Sequence, residues 1–175
     1  MGALSVIIIA KNEAAVIVDC VTSAIHLTRD IVVADSGSTD GTQAMAQKAG
    51  AAVATLDWKG YGPTRNAAAG MVMHDWILSL DADERVTPEL TASINQLVLA
   101  EANTVYGFRR ANFLGTKRIR YGEWGRDKVY RLYNKTVTQW NAALVHETIE
   151  MQGMRKLLVQ GYLLHYTMRD LKEYK

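Results

Sequence analysis

The chain has 175 residues, 49% hydrophobic and 22% charged, enough apolar side chain for one globular domain with its own core. Its net charge of +2 is too small for a nucleic-acid footprint, and no nucleic-acid partner is expected. A single cysteine, Cys20, excludes an internal disulfide and reads as a small core residue. No run approaches the roughly 18 apolar residues of a membrane span, and the first apolar run lacks the length and basic flank of a signal peptide. The cytoplasm is therefore the expected compartment, with peripheral contact at the inner face of the cell membrane left open.

Residues 4–9 are β-branched without clean alternation, the pattern of a parallel strand covered on both faces. Asn12 is expected to cap a helix whose apolar stripe is Ile17, Val21, Ala24 and Ile25. Residues 31–34 form a second strand that stops at the polar loop 35–42. There Asp40 and Gln43 have capping-box spacing ahead of a short helix through Thr42, Met45, Ala46 and Ala49. Gly50 ends that helix, and 51–55 reads as a third strand. Gly60-Tyr-Gly-Pro63 opens the next helix, with Arg65 and Asn66 ahead of packing residues 67–71. Residues 76–80 form a fourth strand that runs into Asp81, Asp83 and Glu84. Thr87-Pro88-Glu89 is a cap, a first-turn proline and an acid, starting a helix with the stripe Leu90, Ile94, Leu97 and Val98.

This order, β-α-β-α-β-α-β-α with short connections, predicts an α/β fold with a parallel, doubly wound sheet and helices on both faces. Beyond it, residues 104–109, 128–132 and 137–139 read as shorter strands around a loop, 113–126, rich in glycine, arginine and aromatics. We expect a single domain, 1–175, with a nucleotide-sugar-binding half at 1–103 and an acceptor-binding half at 104–167. Residues 168–175 read as the start of a helical tail that the chain does not finish.

In open parallel sheets, ligands bind beyond the carboxyl ends of the strands. Four separate segments bring polar groups to that rim. Strand one contributes Ala10, Asn12 and Glu13, and strand two contributes Asp35, Ser36 and Asp40. The loop after strand three brings Arg65 and Asn66, and strand four brings Asp81, Asp83 and Glu84. Each loop by itself is also explained by ordinary turn and cap chemistry. Neither a Gly-x-Gly-x-x-Gly nor a Walker Gly-Lys-Ser/Thr is present, which disfavours dinucleotide redox enzymes and P-loop ATPases. Asp35 suits a base imide or a ribose hydroxyl, and Arg65 at a helix start suits a phosphate. Asp81 and Asp83 offer hard oxygens to Mg²⁺ or Mn²⁺ holding a diphosphate.

Four motifs carry a resemblance to family 2 glycosyltransferases of the GT-A fold. They are Ser5-Val-Ile-Ile-Ile-Ala-Lys-Asn-Glu13, Ile31-Val-Val-Ala-Asp-Ser-Gly-Ser-Thr-Asp-Gly-Thr42, Gly62-Pro-Thr-Arg-Asn66 and Leu78-Ser-Leu-Asp-Ala-Asp83. In the second half, Trp124-Gly-Arg-Asp-Lys-Val-Tyr-Arg-Leu-Tyr133 and Trp140-Asn-Ala-Ala-Leu-Val-His-Glu147 resemble the subgroup that includes lipopolysaccharide core β-1,4-glucosyltransferases acting on heptose. The resemblance implies a metal-dependent, inverting transfer of a hexose, glucose from UDP-glucose, to a saccharide or lipid-linked acceptor. It implies that Ala10, Asn12, Glu13, Asp35, Arg65, Asp81 and Ala82 hold the nucleotide sugar. Asp83 leads the binding of Mg²⁺ or Mn²⁺, with Asp81 shared between ribose and metal and His146 a further candidate. The matching general base is Glu147, which departs from the commoner Glu-Asp pair, with Asp127 as its rival. Trp124, Arg126 and Arg131 are candidate acceptor contacts. A binding module without turnover, a polyprenyl-phosphate acceptor and a nucleotidyltransferase are the competing readings. His165 reads as a satisfied core histidine. The Lys117–Arg120 cluster reads equally as a lipid-phosphate contact or a solvated turn.

Overall fold

In the computed structural model, which describes residues 3–168, the β-branched run at the start is β1 (Leu4–Ala10), buried at every position. α1 (Ile17–Ala24), β2 (Ile31–Asp35), α2 (Thr42–Ala49), β3 (Ala52–Thr55), α3 (Tyr61–Ala69) and β4 (Trp76–Asp81) follow. β1 lies between β2 and β4 and parallel to both, and β3 continues the parallel set beyond β2. β1 sends Leu4, Val6, Ile8 and Ala10 into one core with Ile17, Cys20 and Val21 of α1 and Ala46 of α2. Ile7 points the other way, toward Ala68 and Ala69 of α3. Both faces are thus apolar, which is why the strand shows no period of two in its sequence.

The second half completes the same sheet. After β4 come β5 (Glu84–Val86), α4 (Pro88–Asn95), β6 (Thr104–Leu114), β7 (Lys117–Arg118), a 3₁₀ turn (Glu123–Gly125), β8 (Lys128–Asn134) and β9 (Arg155–Met168). The sheet order is β3-β2-β1-β4-β8-β6-β9-β5, with β7 paired to β6. β8 runs antiparallel between β4 and β6, β9 runs parallel to β6, and β5 closes the far edge antiparallel to β9. β5 follows β4 in the chain yet ends the sheet order, so the sheet curls. The two-residue turn at 82–83 between them places Glu84 Oε2 3.0 Å from the Asp81 backbone nitrogen.

Several local expectations are corrected. Asn12 does not cap α1. It takes φ 53°, and its Oδ1 accepts from the Thr39 nitrogen at 2.8 Å. α1 starts only after a turn in which the Glu13 carbonyl accepts from Val16 and Ile17. No capping box forms at Asp40. Its carboxylate takes the Ala14 and Thr42 backbone N–H groups, while the Gln43 amide donates to Asp35 instead. The packing residues of α3 are Ala68, Ala69 and then Val72; Ala67 and Met71 are exposed. Thr87 does cap α4, accepting from Leu90 N, but the helix stops at Asn95 and leaves Val98 80% exposed. Residues 137–139 are not a strand: a turn at 135–137 runs into irregular chain, and Trp140 bridges Ile149 instead. β5 was not anticipated, and β9 is 14 residues long, far beyond the short apolar stretch ahead of His165. The expected tail falls largely outside the described residues; its first residue, Met168, closes β9.

Candidate active site

Strand periodicity puts Ser79 and Asp81 of β4 on the face that α3 covers. Arg65, 2% exposed, reaches across with Nη1 to Ser79 Oγ at 2.9 Å and Nη2 to Asp81 Oδ1 at 2.6 Å. The same Nη2 stands 3.4 Å from Glu147 Oε1. Trp140 stacks on this guanidinium, 4.6 Å from its ring centroid. The Gly62–Asn66 motif explains how the 140–148 loop is held. Asn66 Nδ2 donates to the Trp140 carbonyl, and its Oδ1 accepts from the Trp140 nitrogen, both at 2.9 Å. Gly62 allows the close approach, because a Cβ there would stand 1.8 Å from the Asn141 oxygen.

A second arginine, Arg131 of β8, takes Glu84 by both ends of its fork, Nη1 to Oε2 at 2.8 Å and Nη2 to Oε1 at 3.0 Å. Its Nη2 also lies 3.4 Å from Asp81 Oδ2. Arg110 of β6 adds Nη1 to Glu84 Oε1 at 3.1 Å and Nε to Asp127 Oδ2 at 2.6 Å. Glu84 is 0% exposed, and a carboxylate is tolerated there only because two cations and a backbone N–H meet it. Burial works against the charge of Asp81, but Arg65 and Arg131 outweigh it and hold the carboxyl far below its usual range. Burial likewise opposes the charge of Arg131, and Glu84 and Asp81 overcome it and raise its pKa.

His165 joins this network to Asp83. Asn112 Nδ2 donates to the Trp124 carbonyl at 3.0 Å and to Asp127 Oδ2 at 3.1 Å, so its Oδ1 is the atom facing His165 Nδ1 at 2.7 Å. A carbonyl only accepts, so Nδ1 carries the proton. His165 Nε2 then faces Asp83 Oδ2 at 3.2 Å. Protonated, Nε2 pairs with the carboxylate; unprotonated, a nitrogen lone pair and a carboxylate converge as two cation ligands. His165 is satisfied, as its sequence context suggested, but its partner is the leading metal candidate.

At the β1–β2 rim, Asp35 is 0% exposed. Its Oδ2 accepts from Gly37 N at 2.9 Å, Ser38 N at 2.8 Å and Gln43 Nε2 at 2.6 Å. Burial opposes its charge, but the Ser38, Gln43 and Gly37 hydrogen bonds prevail and lower its pKa. Asp35 thus organises the 36–38 loop. Asn12 and Lys11 brace the same loop, through Thr39 N and the Ser36 carbonyl. The Glu13 nitrogen donates to Thr42 Oγ1. Ala10 and Ala82 are core residues, 1% and 3% exposed.

A cleft of about 420 Å³ opens over the network, lined among others by Asp81, Arg110, Arg131, Trp140, His146 and Glu147. Of the predicted site residues, it brings together Asp81, Arg131, His146 and Glu147. Arg65 is outside that lining, 2% exposed and tied to Asp81 and Glu147. Asp127, Trp124 and Arg126 stand outside its lining, and Asp127 is held by Arg110 and Asn112. Among the described residues, no three His, Cys, Asp or Glu side chains assemble around a common metal position, so Asp81, Asp83 and His146 do not form the expected trio. Ser79, Arg110, Asn112 and Trp140 were missed. The recoverable signal was period two: Arg110 with Asn112, and Ser79 with Asp81, put polar side chains on one strand face.

Residues 5–159 match the family model described as glycosyl transferase family 2. The chain is 39% identical to an uncharacterized glycosyltransferase of Rickettsia felis over 55% of its own length and 34% of that protein's. It is 30% identical to the lipopolysaccharide core biosynthesis glycosyltransferase LpsC of Rhizobium meliloti, over 93% of this chain and 63% of LpsC. It therefore spans about a third to under two thirds of the length of these relatives. Among solved structures, Staphylococcus aureus TarS 1–349 superposes with a TM-score of 0.64 at 15% identity, covering 95% of this chain and 60% of that one. Glucosyl-3-phosphoglycerate synthase from Mycobacterium tuberculosis, in complex with Mn²⁺, UDP-glucose and phosphoglyceric acid, superposes with a TM-score of 0.50 at 24% identity, covering 65% and 44%. The curled α/β sheet is the GT-A fold that these structures share. With a family match over nearly its whole length and that fold beneath the cleft, the chain belongs to glycosyl transferase family 2.

Proposed function

We propose that this chain is the nucleotide-sugar domain of an inverting hexosyltransferase that moves glucose from UDP-glucose to a saccharide acceptor, such as the heptose of lipopolysaccharide inner core. The observation that carries the reading is the approach of Asp83 and His165 to 3.2 Å, two residues beyond Asp81, which itself lines the same cleft as Glu147. The naming of LpsC supports the acceptor class, and the complex of glucosyl-3-phosphoglycerate synthase supports the donor and the metal. The donor set fits a divalent cation. A carboxylate oxygen and an imidazole nitrogen suit Mn²⁺ and accommodate Mg²⁺ through the oxygen. Asp83 and His165 would hold it. Asp81, already committed to two arginines, would contribute one oxygen at most. When bound, such a cation offsets the charge that grows on the departing diphosphate.

The chain's own groups account for the rest. In one displacement, an acceptor hydroxyl oxygen bonds to the anomeric carbon as the bond from that carbon to the diphosphate breaks on the opposite face. Glu147 takes the hydroxyl proton. Arg65 Nη2 stands 3.4 Å from its Oε1 and helps to aim the carboxylate. Asp127 is the second candidate, because it stands outside the cleft lining and Arg110 and Asn112 already occupy its Oδ2. Binding and transfer assays with UDP-glucose and Mn²⁺ test the reading. Glu147→Gln retains UDP-glucose binding and loses about 10²- to 10⁴-fold in transfer. Asp83→Ala loses the Mn²⁺-dependent part of UDP binding. Full transfer by Asp83→Ala sinks the proposal, and a larger loss in Asp127→Asn than in Glu147→Gln moves the base to Asp127.

A further inference from the structure

The hairpin of β7 and the following 3₁₀ turn concentrates the chain's positive charge. Residues 115–128 hold Lys117, Arg118, Arg120, Arg126 and Lys128 against Glu123 and Asp127, a surplus of three on a chain whose net charge is +2. One of those two carboxylates, Asp127, is already paired to Arg110. Among the cations stand Tyr121, 87% exposed, and Trp124, 40% exposed. A second loop, ahead of Glu147, exposes Leu144 at 86% and Val145 at 69%. Both loops border the cleft, whose lining includes Lys128 at the end of the first and His146 directly after Leu144 and Val145.

The hairpin is held in shape. The Ile119 nitrogen donates to the Asn112 carbonyl at 2.8 Å, and Asn112 Nδ2 donates to the Trp124 carbonyl at 3.0 Å. Gly125 closes the loop on itself, since a Cβ there would stand 2.1 Å from the Arg120 oxygen. Arg118 lies 4.5 Å over the Tyr162 ring of β9. A fixed loop offering cations and amphipathic rings, next to a bare Leu-Val pair, matches the layered chemistry of a lipid surface. Lys and Arg meet phosphates, Tyr and Trp sit at the headgroup level, and leucine and valine enter the acyl boundary. Nucleic acid would engage the cations and rings but leaves Leu144 and Val145 in water.

We infer that residues 115–128, with Leu144 and Val145, form a docking surface for an anionic lipid bilayer that sets the mouth of the cleft against the headgroups. The inference deepens the proposed function, since it gives the cleft access to saccharides carried on lipid. The test is co-sedimentation with vesicles of phosphatidylcholine containing phosphatidylglycerol, against phosphatidylcholine alone, across a salt series. Binding to the anionic vesicles alone, weakening as salt rises, is expected. Lys117→Glu with Arg120→Glu lowers partitioning on the order of 30-fold or more. Brominated acyl chains quench tryptophan fluorescence in the wild type and much less in Trp124→Tyr. Equal binding to both vesicle types, an unaffected double variant or no quenching overturns the inference. So does tighter binding of an oligonucleotide than of anionic vesicles, or light scattering that shows the same residues pairing two copies without vesicle binding. UDP binding is measured on the same samples. Its retention in the double variant shows an intact fold. Its absence from the wild type defeats the transferase reading while the vesicle result stands on its own.

Discussion

Glu84 is the residue whose charge the site can least spare. It is 0% exposed, and its two oxygens meet Arg131 twice, at 2.8 and 3.0 Å, Arg110 at 3.1 Å and the Asp81 nitrogen at 3.0 Å. Glu84→Gln keeps the shape but turns one oxygen into an N–H donor that faces other donors. Arg131, 6% exposed, is then left with Asp81 at 3.4 Å as its remaining carboxylate. Removing one partner from a buried ion pair costs about 3–5 kcal/mol. For a chain of this size that corresponds to a melting temperature roughly 6–20 °C lower. Calorimetry or a far-ultraviolet circular dichroism melt measures it, with exposed Glu123→Gln as the control that stays within about 0.5 kcal/mol. Replacing both charges, Glu84→Leu with Arg131→Met, recovers part of the loss, because no uncompensated ion is then buried between them. A melt for Glu84→Gln within a degree of wild type would falsify the claim that this network holds β4, β5, β6 and β8 together.

Three further outcomes are expected. Asn112→Leu frees His165 Nδ1; long-range ¹H–¹⁵N spectra should show loss of the single Nδ1–H tautomer, and Mn²⁺ affinity in the presence of UDP should fall about 10- to 100-fold. An unchanged tautomer in that variant rejects the positioning role. Gly62→Ala drives a Cβ into the Asn141 carbonyl, so stability drops by about 1–3 kcal/mol and kcat falls further than UDP binding, as Glu147 shifts with its loop. Asp81 has a depressed pKa in the folded chain, so the stability it contributes is complete above the ordinary carboxylate value of about 3.9 and is lost as pH falls below it. Denaturation midpoints of wild type and Asp81→Asn should therefore keep a constant gap from neutral pH to about pH 4 and converge in stronger acid.

The parallel half was legible because its signals are local. β-branched runs, glycine and proline punctuation and the Thr87 cap each act within a few residues, and the strands and helices they mark are present. Asn12 and Asp40 show where local reasoning failed. Both carry good capping side chains, but each found a better-placed backbone partner in a neighbouring loop, Thr39 for Asn12 and Ala14 for Asp40. β9 was hard to see because only one of its faces is fully covered. Leu163 and His165 point inward while Tyr162 is 37% exposed, and Gly161 interrupts the pattern at φ +111°.

By itself the chain's order of residues determined which strand ends carry carboxylates, that Asp81 and Asp83 leave β4 together, and that Glu147 closes the 140–147 motif. It could not say which charges meet. Arg65 and Glu147 are 82 positions apart, and Arg131 and Glu84 are 47 apart. Such pairs are decided by the curl that returns β5 to β9 and inserts β8 beside β4. Only the tertiary structure showed that the core histidine His165 is the neighbour of Asp83, and that Arg65 pairs with Asp81. The physical reason is that burying a charge is tolerable only where its partner also arrives, and that coincidence is a property of the closed sheet, not of any one segment.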